Sequence, residues 1–171
     1  MQYDYVLCST ALRAKQTADI ALKILGVDTS QMLVTDAFLE HSQGVWEGQD
    51  RASSYTAEVY QQMTDLHIEF CPPQGESMRM VQNRAVERLK PYLEQARAKS
   101  IADNREVSIL VFTHANLIRA VLQYYLQSNP RHAWLIGQEN TAITEISFNQ
   151  HGTSLVRVND TAHLTFPIPD M

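Results

Sequence analysis

The run Val107-Ser108-Ile109-Leu110-Val111-Phe112 constrains the fold more than any other stretch of the chain. Its residues are apolar almost without interruption and show no polar alternation. A segment of this length and kind reads as a strand covered on both faces, which is the situation of a strand inside a parallel sheet. A parallel sheet in turn demands crossover helices, and the surrounding sequence supplies them. Asp4 to Cys8 reads as a short strand, and a helix follows whose apolar positions are Ala14, Ala18, Ala21, Leu22 and Leu25. Ser9 or Thr10 is placed to cap that helix and Gly26 to close it. Met32 to Thr35 is a second short strand. After a polar, irregular stretch through His41, Gln43, Gly44 and Gly48, residues Ser53 to Ile68 are weakly helical.

Pro72-Pro73-Gln74-Gly75 breaks the chain. Ser77 then caps a long amphipathic helix with Met78, Val81, Ala85, Leu89, Tyr92, Leu93 and Ala96 on its buried face, and Pro91 is expected to kink it. The Val107 strand leads through Thr113-His114-Ala115-Asn116 into a helix from Leu117 to about Leu126. Thr141 to Phe148 and Ser154 to Val158 are two further strands, joined at His151-Gly152 as a hairpin. The order predicts an α/β layered domain, a mostly parallel sheet flanked by helices. With 171 residues, 44% of them hydrophobic, residues 1–171 are expected to form a single domain.

The formal net charge of -5, with Lys and Arg scattered, argues against nucleic acid and anionic membranes as partners. A local positive site for an anion remains compatible with it. Cys8 and Cys71 have no metal-ligand or disulfide spacing, so a reducing, cytoplasmic compartment is expected. No apolar run is long enough to span a membrane.

Two strand-to-helix junctions stand out as places for chemistry, because ligands of such sheets bind at the carboxyl ends of the strands. Cys8-Ser9-Thr10-Ala11-Leu12-Arg13 puts a guanidinium in the first turn of a helix, where the dipole and backbone N–H groups favour an anion. Phe112-Thr113-His114-Ala115 puts an imidazole at the tip of a strand. Each has a plain alternative, a solvated arginine and a packing histidine; at matching ends of one sheet the two reinforce each other.

These junctions also carry a family resemblance. Ser9 through Ala18 (STALRAKQTA) resembles the S-x-x-x-R-A-x-Q-T-A stretch of the histidine phosphatases, the phosphoglycerate-mutase-like superfamily. Phe38-Leu39-Glu40 followed by Gly44-Val45-Trp46-Glu47-Gly48 is similar to its L-x-E…G-x-W-E-G. Gly75-Glu76-Ser77, Phe112-Thr113-His114 with Ile118-Arg119-Ala120, Asn140 with Ile143-Thr144-Glu145, and Asn159-Asp160 with His163-Leu164 resemble the remaining motifs, in the family's order. The resemblance implies a phosphomonoesterase of the small phosphatase type acting through a phosphohistidine. Arg13 would bind phosphate, together with His114 and Ala115, and His114 would be the second catalytic histidine. Glu40 would be the acid that protonates the leaving alkoxide, with Glu47 as its competitor, read as structural. Such roles suit phosphoryl transfer, which rests on positioning and on neutralising the equatorial oxygens. No metal or organic cofactor is implied; the expected partner is a phosphorylated small molecule or phosphate-like anion.

The family's opening R-H-G motif, whose histidine is the nucleophile, has no counterpart before Tyr3, and the Arg131-His132 pair reads as a solvated loop. In the family that missing strand lies between the His114 and Ile143 strands. The chain is therefore expected to be N-terminally incomplete, with little or no turnover alone, and its exposed sheet edges make a homodimer plausible. Two alternatives stand beside this. One is a non-catalytic anion-binding or scaffold module. The other is a cysteine-dependent phosphatase using Cys8, disfavoured because four residues, not five, separate Cys8 from Arg13 and none of them is glycine.

Overall fold

In a computed structural model, residues 3–165 are described. β1 (Tyr5–Ser9) is the centre of a three-stranded parallel sheet, with β2 (Leu33–Thr35) on one side and β3 (Ile109–Phe112) on the other. Its period of two sorts its side chains onto opposite faces. Val6 and Cys8 face α1 (Leu12–Leu25) and pack with Ala14, Ala18 and Leu22. Leu7 faces the other way, into a core with Phe38, Val81 and Ala85, and with Leu117, Ala120 and Val121. These come largely from α4 (Met78–Asp103) and α5 (Ala115–Tyr125). β3 follows the same alternation, with Leu110 and Phe112 toward α1 and Ile109 and Val111 toward the larger core.

β3 is half-buried along its length, where its sequence predicts full burial; β1 is the strand that is buried almost throughout. The reason is position: among the described residues β1 is paired on both edges and β3 on one. β4 (Ile143–Asn149) and β5 (Gly152–Asp160) form a separate antiparallel hairpin. Phe148 packs edge-on against Tyr125 with ring centroids 4.9 Å apart, and Ile146 reaches the main core, so the hairpin is anchored from one side.

The caps show where local reading holds and where it does not. Ser77 accepts from the Met80 N–H and starts α4, as its position before the apolar pattern predicts. Gly26 adopts φ of 65° and closes α1. At the other end of α1, however, neither Ser9 nor Thr10 caps the helix; Ala11 is the N-cap residue and has no side-chain cap. Ser9 Oγ accepts from the Ala11 N–H instead, and Thr10 donates to Asp36. α4 runs through Pro91 as one helix, so the proline does not break it. The Ser53 to Ile68 region resolves into α2 (Arg51–Ser54) and α3 (Ala57–Leu66).

Asp4 secures the start of β1. Its side chain, 1% exposed, meets Lys99 and Arg105 and accepts from the Ser108 N–H, while its own N–H donates to the Ser108 carbonyl. The hydrogen bond from Arg105 leads the causes that hold its carboxyl far below the usual range, against its burial. This ties the entrance of β1 to that of β3.

Two glycines make a close crossing between loops. Gly44 has φ of 56°, and a Cβ there would collide with the Pro73 carbonyl and the Gly75 nitrogen; a Cβ on Gly75 would meet the Ser42 carbonyl at 2.6 Å. Gly44→Ala and Gly75→Ala are each expected to destabilise the protein by at least about 2 kcal/mol in urea unfolding. Gly48→Ala, with nothing within 4 Å of its Cβ, is expected to cost only about 1 kcal/mol.

Candidate active site

The three parallel strands end together. Ser9 pairs with Thr35 and Cys8 with Phe112, so the carboxyl ends of β1, β2 and β3 form one rim. Arg13 follows β1 by four residues, Glu40 follows β2 by five and His114 follows β3 by two. The register of the sheet thus brings residues far apart in sequence to one edge.

His114 is the buried member, 7% exposed. Its Nε2 lies 2.9 Å from Ser9 Oγ, and Ser9 itself is fully buried. Burial, and after it the positive charge of Arg13, hold the imidazole below its ordinary value; Glu40 works in the opposite sense and Arg84 with the first two. These opposed influences also place Arg13, Glu40 and Arg84 within electrostatic reach of one ring. Arg13 is exposed in the first turn of α1, and among the described residues its guanidinium has no ion pair or side-chain hydrogen bond.

Glu40 is partly buried on an irregular segment. Its Oε1 accepts from the His41 N–H at 2.8 Å and from the Asn116 N–H at 3.2 Å, which sets the carboxyl group on the N-terminal turn of α5. Thr113 Oγ1 donates to the Phe38 carbonyl and joins this segment to the end of β3. Glu47 is engaged otherwise: its Oε1 accepts from Ser42 Oγ and the Gln43 N–H, closing the turn at Gly44–Trp46.

Ser9 and Arg84 belong to this cluster and escaped the sequence reading. Ser9 reads as a cap, because the pairing that sets it against His114 spans 105 positions. Arg84 reads as one polar position on an amphipathic helix; the signal that pointed to it was Gly75-Glu76-Ser77, since Glu76 is its partner.

Cys8 is fully buried among Val6, Ala14, Ala18 and Leu22, and its Sγ donates to the Ser9 carbonyl. Burial pushes the thiol up, so the thiolate a cysteine-dependent phosphatase needs is disfavoured. The Cys8 alternative is therefore dropped. No group of three or more His, Cys, Asp or Glu side chains able to hold a metal ion occurs among the described residues, and none of their helices is long and apolar enough to cross a membrane. Two surface hollows, of about 440 and 610 Å³, lie away from the cluster. Arg13, Glu40 and His114 line neither of these two; Arg13 itself is exposed.

The family profile of the histidine phosphatase superfamily (branch 1) matches residues 1–161. The chain belongs to that superfamily. No curated protein matches it at the level of sequence. Among solved structures it is similar to a mycobacterial glucosyl-3-phosphoglycerate phosphatase in complex with inorganic phosphate, with a TM-score of 0.80 and 20% identity over 94% of this chain and 79% of that one. It is also similar to the alpha-ribazole phosphatase of Shigella flexneri, with a TM-score of 0.71 and 21% identity over 94% of this chain and 75% of that one. These likenesses establish the histidine phosphatase fold, whose sheet and flanking helices the chain shares.

The depressed His114 has a measurable consequence. The unfolded chain takes up a proton at the ordinary imidazole value near 6.5, whereas the folded chain resists it. Stability should therefore fall as pH drops through that value toward the lower folded one. His114→Gln is expected to lose less stability than the parent between about pH 8 and about pH 5.5 in urea unfolding. An equal loss in both would show that His114 is not depressed.

Proposed function

We propose that this chain carries the phosphate-recognition side of a phosphomonoesterase site. Arg13 and the His114–Ala115 junction bind the phosphoryl group, and Glu40 is the proton donor to a leaving alkoxide. The observation that carries this reading is the convergence, on one rim of the sheet, of a guanidinium with no partner among the described residues, a buried imidazole whose charged form is disfavoured, and a carboxyl group. Arg13 offers a planar fork to two phosphate oxygens, and the first turn of α5 offers backbone N–H groups and a favourable dipole. The phosphate-bound mycobacterial phosphatase of the same fold supports an anion of this class.

In the complete family hydrolysis passes through a phosphohistidine, and we propose that these 171 residues alone bind phosphate with little or no turnover. The chain has six histidines. His41 accepts from Gln43 at Nδ1 and faces the Glu76 carbonyl with Nε2, His67 accepts from Arg131, and His132, His151 and His163 are exposed. These partners and exposures support reading none of the five as the attacking atom. The alternative of a non-catalytic binding or scaffold module shares the same anion site. The free thiols Cys8 and Cys71 suit a reducing, cytoplasmic setting, and the edges of β3 and β4 that are unpaired among the described residues suit a homodimer.

The test combines binding and turnover. Inorganic phosphate titrated into the chain should raise the His114 titration midpoint seen by NMR, because the anion stabilises the imidazolium. Arg13→Ala should weaken phosphate binding by about tenfold or more. No hydrolysis of an aryl phosphate is expected from the chain alone. Turnover abolished by His114→Ala would overturn the proposed inactivity, and phosphate binding indifferent to Arg13 would overturn the site.

A further inference from the structure

Arg84 makes contacts that neither helix packing nor phosphate binding requires. It projects from α4 and pairs with Glu76 through two parallel bonds, Nε to Oε1 and Nη2 to Oε2, each 2.8 Å. Nη1 also donates to the Ala37 carbonyl at 2.8 Å and Nη2 to the Glu40 carbonyl at 3.2 Å. Glu76 is tied in turn to the following residues: its Oε2 accepts from the Ser42 N–H, its N–H donates to the Ser42 carbonyl, and its carbonyl meets His41 Nε2. Both side chains are only 22% exposed. Burial raises the Glu76 carboxyl, but the hydrogen bonds from Arg84 and Ser42 more than offset it and leave it below the usual range.

The segment held in this way, residues 39 to 43, has no helix or strand of its own. Its place depends largely on side-chain contacts: Arg84 and Glu76 hold it at Glu40, His41 and Ser42, while Glu47 and Tyr55 hold Ser42 and Gln43. At the far side of the segment the Glu40 carboxyl group reaches the Asn116 N–H on α5, two residues beyond His114.

We infer that Arg84 is a positioning residue: clamped by Glu76, it grips the Ala37 and Glu40 carbonyls and so sets the Glu40 carboxyl group on the first turn of α5 beside His114. The inference rests on the reading of Glu40 and His114 as one site. The fork geometry is essential to it. A guanidinium meets a carboxylate with two bonds and still has N–H groups for two carbonyls, whereas an ammonium is a point donor that cannot hold this pattern.

The Asn116 amide reports the arrangement directly. Hydrogen exchange measured by NMR on the full chain should show it protected in the parent and released by Glu40→Ala. Arg84→Lys keeps the charge and should speed Asn116 exchange by at least about tenfold. The Ile118 amide, bonded to the His114 carbonyl within α5, serves as the control for overall stability. A merely structural role would speed both amides alike, and that result overturns the inference, as does unchanged Asn116 exchange in folded Arg84→Lys. Should Arg84→Lys fail to fold, Glu76→Gln loosens the same guanidinium without removing it and is expected to release Asn116 selectively; its failure to do so overturns the inference equally. Inorganic phosphate titrated into the parent tests the underlying reading separately. A chain that binds no phosphate yet loses Asn116 protection in Arg84→Lys overturns the phosphate site and leaves the positioning role standing.

Discussion

β1 is hydrogen-bonded in parallel on both edges, and its register decides where every part of the site begins. Parallel strands with a common end direct the chain that leaves each of them to the same rim. Arg13, Glu40 and His114 leave three different strands and meet there without any contact that is local in sequence. The hold on β1 is correspondingly strong. Val6 and Cys8 fill one core, Leu7 fills the other, and Asp4 binds its start to the entrance of β3 through two cations and two backbone bonds. A slip of one residue would exchange the two faces and turn Leu7 toward α1.

The elements that depend on local chemistry were legible in the sequence. Ser77, Gly26, the long α4 and the β4–β5 hairpin each follow from a cap, a left-handed turn or a periodicity that a short window contains. The order of motifs likewise pointed to Arg13, Glu40 and His114. What was not legible depends on pairings across the fold. Ser9 reads as a cap until β1 lies beside β3, when its hydroxyl faces His114. The Val107 to Phe112 run reads as doubly covered, yet β3 is half-buried, because apolar composition records which surfaces a strand can bury and not which edges are paired. Arg84 is silent in sequence for the same reason: its importance lies in two carbonyls 44 and 47 positions away.

Within the site, charge is arranged in layers of increasing commitment. Arg84 is spent on Glu76 and on main-chain carbonyls, so its charge is neutralised locally while its geometry is used. Arg13 has no such partner among the described residues and stays at the surface, where a cation costs little because water solvates it. A protein with a net charge of -5 can attract an anion only if such a cation is kept free of its own carboxylates, and Glu40 is kept from it by being held on α5.

His114 completes this logic. A buried imidazolium is expensive, and burial together with Arg13 disfavours the protonated ring, with Glu40 working in the opposite sense. The same two features make it responsive. An anion seated between Arg13 and His114 would cancel the influence of the arginine and favour the protonated ring, so proton uptake and anion binding are thermodynamically coupled at this position. The Ser9 hydroxyl can donate to a neutral Nε2 or accept from a protonated one by rotating its hydrogen, and this lets the ring change state without leaving a buried group unpaired. A hydroxyl buried at the end of the central strand thus accommodates both states of His114, whereas a carboxylate there would favour the protonated ring and repel an anion.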